Sequence, residues 1–174
     1  MTIALPPGIT VFERGWLSAN NILFQGPEGN ALVDSGYATH AEQTVGMQWA
    51  SRMNAAGTAR RLGMDFAMHS DAPITPIHPL FTAWCAVQRE TASGRVLGEA
   101  ERLSVDDALH AITMGAARTL KLEQRVGSIE PGKLADFAVL EDDPRAVAPA
   151  ALKDVKVWGT VLGGRIFPAP GSAP

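Results

Sequence analysis

Two histidines and an aspartate stand close together between Phe66 and Pro79, in the stretch FAMHSDAPITPIHP. Asp71 follows an apolar alternation that predicts a strand and precedes an apolar run that predicts a helix. The carboxyl ends of strands are where α/β barrels collect catalytic groups, and a carboxylate there can bind a divalent cation or accept a proton from water. The alternative is structural, because an aspartate before Ala72 and Pro73 also suits a helix cap or a tight turn.

The other candidate donors are weaker. His69 and His78 could bind a metal together with Asp71, or be packed and surface histidines, since they form neither an HxH nor an HExxH pair. His110 is interpreted as structural, beside the apolar face of its helix. Cys85 is interpreted as a small core residue, because no basic residue at helical spacing would lower its pKa.

Strands and helices must position these groups. ITVFE, NILFQ and NALVDS predict N-terminal strands, the last two joined in a hairpin through the turn residues 26–29. Residues 41–122 are mainly helical, although Gly46 and Gly57 weaken the first part. Met64, Phe66 and Met68 alternate with polar or small residues and predict one short strand.

Later elements carry clearer signals. LFTAWCAVQRETASG predicts a helix with Gly94 as its stop, and SVDDALHAITMGAARTLKL predicts one that begins with Ser104 and Asp107 in capping-box spacing. GSIEPGK lacks the spacing of a phosphate-binding loop and predicts a turn into a strand. LADFAVLE and VKVWGTVLGGRIF predict a small antiparallel sheet.

Composition narrows the class of protein. The chain has 174 residues, 46% hydrophobic, with a formal net charge of −3, which predicts a globular protein without the basic surface that nucleic acids require. One cysteine excludes an internal disulfide and fits a reducing compartment, so we expect a cytoplasmic protein. The N-terminus has no signal-peptide pattern, and no apolar run reaches the length of a membrane span.

Residues 52–167 resemble the C-terminal part of the amidohydrolase superfamily, in particular amidohydrolase family 3. The matching blocks are HSDAP, the segment AVQRETASGRVLGEAERLSVDDALHAITMGAAR, and GSIEPGKLADFAVLEDDP followed by VWGTVLGGRIF. The resemblance implies that Asp71 ends the eighth strand of a barrel, where it serves as a metal ligand and general base. It also implies zinc or another divalent metal as cofactor and a small-molecule substrate with a C–N bond.

The chain departs from the amidohydrolase pattern in its metal ligands, and its N-terminal part resembles a second family. The HxH pair, the bridging lysine or acidic residue and the further histidines of such enzymes have no equivalent before His69, which leaves Asp71, with His69 and His78, as the candidate metal ligands. Residues 9–45 resemble the opening hairpin and first helix of a metallo-β-lactamase-fold hydrolase, with LVDSG as the signature. That family's HxHxDH motif is not reached, so the chain is interpreted as a junction of two incomplete fragments.

These observations predict an α/β fold: a partial (β/α)8 barrel, comprising strand 8 and the following helices, and a small antiparallel β subdomain formed with the N-terminal hairpin. The predicted parts are residues 1–46, 47–127 and 128–174. One functional hypothesis is an amidohydrolase-like, metal-dependent hydrolase of non-peptide C–N bonds. The alternative is a non-catalytic remnant or assembly module, or a metallo-β-lactamase-fold fragment. Uncovered sheet edges predict a homo-oligomer.

Overall fold

The chain folds into two compact units that alternate along the sequence. The computed structural model describes residues 7, 9–12, 21–26, 29–33, 47–72, 75–91 and 94–171. Residues 1–53 and 90–98 form the first unit, and residues 54–89 and 99–174 form the second. The division into residues 1–46, 47–127 and 128–174, expected from the sequence pattern, stays a prediction.

The first unit contains the expected N-terminal strands. β1 (Ile9–Phe12), β2 (Asn21–Gly26) and β3 (Gly29–Val33) form an antiparallel sheet in the order β1-β2-β3, and Gly26 pairs with Gly29 across the hairpin turn. The predicted hairpin is therefore confirmed. Its LVDSG signature runs past Val33 into residues outside the described part of the chain.

A short helix completes the described part of this unit. In α1 (Met47–Ala50), Ala50 is fully buried and joins Met53 and Leu97 in a small apolar cluster. Leu97 belongs to the segment 90–98, which returns on itself through an antiparallel bridge between Glu90 and Val96. A few apolar residues thus tie this later segment to the N-terminal helix.

The second unit is mainly helical. Its elements are α2 (Ala56–Arg61), α3 (Pro79–Gln88), a 3-10 turn (Glu99–Glu101), α4 (Val105–His110), a π-helical turn (Ala111–Gly115), α5 (Ala116–Thr119) and a 3-10 helix (Pro149–Asp154). The core joins α3, α4 and the last 3-10 helix through buried residues: Leu80, Ala83, Val87, Leu103, Ala108, Leu152 and Val155. Because apolar burial is the main driving force, these contacts fix the helices around one centre.

Two helix boundaries have clear physical causes. Ser104 caps α4, accepting the Asp107 backbone N–H at 3.1 Å and donating its hydroxyl to the Asp107 carboxylate at 2.8 Å, so the predicted capping box is confirmed. α3 ends at Arg89, which adopts the left-handed conformation with φ 48°. The expected stop at Gly94 was wrong because Arg89 turns the chain five residues earlier.

The C-terminal sheet differs from the prediction in one respect. β4 (Phe137–Leu140), β5 (Val157–Leu162) and β6 (Arg165–Pro168) form an antiparallel sheet in the order β4-β5-β6. LADFAVLE and VKVWGTVLGGRIF supply all three strands of this sheet, where two runs were expected to need the N-terminal hairpin. The participation of that hairpin in the subdomain stays a prediction.

Candidate functional site

The candidate site lies on an extended segment before α3. From residue 65 to residue 71 the side chains alternate between exposed and half-buried, with Phe66 and Met68 packed on the core and His69 and Asp71 exposed. The expected alternation is confirmed, but the segment is not a strand, since no described strand pairs with it. Packing on helices, rather than a ladder of hydrogen bonds, holds it extended.

Asp71 sits at the turn that ends this segment. Its backbone φ is 52°, in the left-handed region that aspartate tolerates better than most residues. The Thr75 hydroxyl donates to the Ser70 carbonyl oxygen and closes the turn. The carboxylate itself is exposed, so it is open to a ligand or substrate from solvent.

His78, not Asp71, caps the next helix. Its Nδ1 accepts the backbone N–H of Phe81 at 3.1 Å, while its own backbone is extended and Pro79 opens the helix. Of the two structural roles expected as the alternative for Asp71, the helix cap was therefore wrong, whereas the turn agrees with its position. His78 is half-buried, and one of its ring nitrogens is occupied by the hydrogen bond that caps the helix. His69 is exposed and lies two residues before Asp71.

The described residues do not by themselves fit a bound metal ion. Structural zinc sites take four protein ligands and catalytic sites take three. Within the described ranges, however, no group of three or more His, Cys, Asp or Glu side chains could hold a metal. The expected set of Asp71, His69 and His78 is thus not assembled as one site in the described part of the chain: His69 and Asp71 are both exposed, and His78 caps the helix.

Two contacts hold the segment against the π-helical turn and α5. Gly115, in the π-helical turn, packs so closely on Phe66 that a Cβ at this position would overlap the Phe66 carbonyl oxygen. Arg118 on α5 forms an ion pair with Asp65 at 3.0 Å. π-helical turns often occur at functional sites, and here the turn accommodates the segment that leads to Asp71.

A buried carboxylate supports the neighbouring helix. Glu101 is 7% exposed and accepts hydrogen bonds from the Thr58 backbone N–H at 2.6 Å and the Thr58 hydroxyl at 2.5 Å. Burial alone would raise the pKa of Glu101, but the Thr58 hydrogen bonds and the charges of Arg61 and Arg89 together hold it below the usual value. No local sequence pattern signals this group, because Thr58, which donates both hydrogen bonds, lies 43 residues away.

Cys85 lies on the surface of α3, so its assignment to the core was wrong. Neighbouring atoms partly desolvate the sulfur and raise the pKa of the thiol, and the Lys153 charge opposes this only in part. The Lys153 ammonium instead lies 4.2 Å from the centre of the Trp84 ring. A raised pKa keeps the thiol protonated, which disfavours a nucleophilic role.

An open groove lies on the other side of His78. Its volume is about 510 Å³, and its lining includes His78, Glu141, Lys153, Asp154 and Lys156. The two ammonium groups and the two carboxylates balance in charge. The groove therefore offers no strongly charged receptor for either an anion or a cation.

Comparison with known families decides the class of the chain. The model of the amidohydrolase family matches residues 21–168. The chain belongs to the amidohydrolase family. The match begins at Asn21 and covers most of the segment interpreted as metallo-β-lactamase-like, and that second resemblance is not supported.

Individual relatives of this amidohydrolase-family chain match part of its length. The Bacillus subtilis protein YtcJ is 39% identical over 100 residues, which are 56% of this chain and 19% of the relative. An N-substituted formamide deformylase from Arthrobacter pascens is 34% identical over 102 residues, 59% of this chain and 19% of the relative. An imidazolonepropionase from Bacteroides fragilis is 35% identical over 68 residues, 39% of this chain and 16% of the relative.

The chain spans about a fifth of the length of the curated relatives that it matches. No solved structure matches it. In the part of the chain that the structure describes, no helix is long and apolar enough to cross a membrane.

Proposed function

We propose that this chain contributes to a hydrolase of non-peptide C–N bonds, with Asp71 as the carboxylate that accepts a proton from the attacking water. The observation that carries the proposal is the exposed Asp71 carboxylate at the end of a segment docked on the core, within a chain of the amidohydrolase family. The names of two relatives, a formamide deformylase and an imidazolonepropionase, favour small amides as substrates.

The fold supports this role through rigidity. A general base must lie within hydrogen-bond reach of the proton that it takes, so the segment that carries it has to be held in place. Phe66 and Met68 pack against the core, and the close contact between Gly115 and the Phe66 backbone holds the segment against the π-helical turn. The packed segment therefore holds Asp71 at the surface. A substrate can reach its carboxylate without any rearrangement of the core.

The proposal includes a divalent metal, although the described residues do not supply a complete set of ligands for it. Zinc is the expected ion, and the residues that would meet it are Asp71 and His69, two exposed donors near the end of the segment. Two donors are too few to hold zinc at useful affinity, so further ligands have to join them. The proposed proton transfer to Asp71 does not specify where those ligands come from.

A substrate screen tests the hydrolase proposal. The purified chain, with added zinc or manganese, is incubated with N-substituted formamides, cyclic amides and simple primary amides, and amine or ammonia release is measured against metal ions alone. Release above the metal-only reaction supports the proposal. A rate equal to the metal-only reaction for every substrate contradicts it.

A second candidate function is that of an assembly module. Large apolar side chains are unusually exposed in the second unit, among them Ile77 (85%), Ile129 (84%), Leu162 (62%) and Ile166 (62%). All four residues of the edge strand β6 are exposed as well. Such surfaces favour association with another chain, and a second copy is the simplest partner.

Light scattering across a dilution series tests this second candidate. The expected result is an assembly larger than a monomer that dissociates on dilution. A compact monomer at every concentration, with low binding of an apolar dye, would contradict it. The two candidate functions are compatible, since an assembly could also supply missing groups to a catalytic site.

A further inference from the structure

The chain passes between its two units at three junctions, and each junction is a sharp turn. The second unit begins after Met53, is interrupted after Arg89 and resumes after Gly98 with the 3-10 turn Glu99–Glu101. Asn54, Arg89 and Gly98 have positive φ angles of 49°, 48° and 71°. A left-handed backbone is unfavourable for a residue with a side chain, so contacts around Asn54 and Arg89 have to hold these turns.

A buried carboxylate lies among these junctions, within the second unit. Glu101 accepts the backbone N–H of Thr58 at 2.6 Å and the Thr58 hydroxyl at 2.5 Å, and the Arg61 guanidinium lies 3.5 Å from its Oε1. The Arg89 guanidinium donates to the Asn54 carbonyl oxygen at 2.9 Å, and its charge also acts on Glu101. We call these five residues the junction cluster, because they join the second unit's side of all three crossings.

The helix α2 depends on this cluster for its place. Gly57 is buried against the 3-10 turn, where a Cβ would overlap the backbone of Ala100 and Glu101. Ala56 adds only one small side chain to the core, and Leu62, which ends the helix, is 70% exposed. A helix of six residues is not stable by itself. Polar contacts with the 3-10 turn, more than apolar burial, therefore keep α2 folded.

The junction cluster depends on a negative charge. Although burial alone would raise the pKa of Glu101, the Thr58 hydrogen bonds and the charges of Arg61 and Arg89 together hold it below the ordinary value of 4.5. Hydrogen bonds to an ionised carboxylate are stronger than those to a neutral group. The closed cluster is therefore fully stabilised above pH 4.5, and this stabilisation is lost as the pH falls through the lowered pKa.

A second attachment of α2 responds to acid in the same direction. Arg60 forms an ion pair with Asp107 of α4 at 2.5 Å. The Arg60 hydrogen bond holds the pKa of Asp107 below its usual value, and the charge of His110 acts in the same direction. The other two charged groups beside the 3-10 turn, Glu99 and Arg102, pair with each other at 2.8 Å. Acid therefore weakens both carboxylate contacts that fasten α2.

We propose that the junction cluster is an acid-sensitive latch, in which protonation of Glu101 releases α2 and the 3-10 turn together while the rest of the second unit stays folded. The three junctions then gain freedom at the same time. The core does not open with them, because its buried residues belong to other parts of the unit: Leu80, Ala83, Val87, Leu103, Ala108, Leu152 and Val155.

Hydrogen exchange of single amides at pH 7 tests the latch. Glu101→Gln replaces the carboxylate with a neutral group of the same size. The amides of Leu62 in α2 and Arg102 at the 3-10 turn are hydrogen-bonded within these elements and should exchange at least about tenfold faster than in the wild type. The amide of Ala108 in α4 should keep its rate. Glu99→Gln, which neutralises an exposed carboxylate of the same turn, is the control and should leave all three rates unchanged.

Acidification of the wild type tests the charge itself and does not require the variant to fold. After correction for the intrinsic effect of pH on exchange, the rates at Leu62 and Arg102 should rise below pH 4.5 towards those of Glu101→Gln. The latch is contradicted if acid leaves both amides at their neutral-pH rates or opens only one of them. Equal acceleration at Ala108 also contradicts it, because the whole unit would then be unfolding.

Discussion

Gly115 and Phe66 approach each other so closely that no side chain fits between them. A Cβ built at Gly115 would overlap the carbonyl oxygen of Phe66, and Gly115 itself is buried in the π-helical turn. The same extended segment continues to His69 and Asp71. A backbone contact between a helix and a loop therefore sets the position of the candidate site.

Replacing this glycine should loosen the segment. Gly115→Ala forces the helix and Phe66 apart, and overpacking of this kind typically costs about 1–3 kcal/mol. We expect the melting temperature to fall by several degrees, measured by calorimetry. Thr113→Ala, at an exposed position of the same turn, is the control and should melt close to the wild type. Equal melting temperatures for both variants would show that the contact gives way at no cost.

The buried carboxylate of Glu101 predicts a pH dependence of stability. Its pKa is lowered in the folded protein, so its contribution is present above the ordinary value of 4.5 and is lost as the pH falls through the lowered folded pKa. At pH 7, Glu101→Gln should reduce the free energy of unfolding by about 1.5–3 kcal/mol, the range for hydrogen bonds to charged groups. Urea unfolding at pH 7 and in acid measures this difference.

Glu99, two residues before Glu101, provides the control for this prediction. Glu99 belongs to the same 3-10 turn but is 72% exposed and pairs with Arg102 on the surface, so Glu99→Gln should change stability little at either pH. If Glu101→Gln lost as much stability in acid as at neutral pH, the charge of Glu101 would not be the cause.

The Ser104 cap of α4 is expected to contribute measurably to the free energy of unfolding. Ser104→Ala removes the hydroxyl that accepts the Asp107 N–H, and loss of such a cap costs typically about 1 kcal/mol. Chemical denaturation should show a lower midpoint with an unchanged slope. Ser51→Ala removes an exposed hydroxyl that bonds only to the Gln48 carbonyl oxygen, and we expect it to leave the midpoint near the wild-type value.

The turn GSIEPGK is organised around one lysine. Lys133 has a side chain only 10% exposed, and its ammonium donates to the Ser128 hydroxyl at 2.5 Å and approaches the Glu130 carboxylate at 3.5 Å. Lys133→Met should leave Ser128 and Glu130 without this cation and open the turn, so limited proteolysis should cleave residues 127–133 faster than in the wild type. Lys156→Met, at an exposed lysine, should be cleaved at the wild-type rate.

The sequence predicts best what is local. The α4 cap and the N-terminal hairpin follow from short patterns, because Ser104 bonds Asp107 three residues on and the hairpin closes at a turn where Gly26 pairs with Gly29. The alternation around Phe66 is also right as a burial pattern, but a period of two says only which side chains point inward. Whether such a segment joins a sheet depends on a neighbouring strand, and none of the described strands lies beside it.

The candidate site shows the same limit. As the structural alternative, Asp71 was expected to cap the next helix or to fix a turn; it lies in a turn, and His78 caps the helix, which begins eight residues after Asp71. The Glu101–Thr58 contact joins residues 43 apart and has no local signature. Long-range contacts of this kind depend on how the helices pack, which no single stretch of sequence specifies.

The most direct test of the proposed hydrolase compares two carboxylate variants on the best substrate from the screen. Asp71→Asn keeps the size of the side chain but cannot accept a proton, while Asp142→Asn makes the same change at another exposed position. We predict that kcat/KM falls at least about 100-fold in Asp71→Asn, the lower end expected for loss of a general base, and stays within about twofold in Asp142→Asn. Equal activity of Asp71→Asn and the wild type would contradict a catalytic role for Asp71.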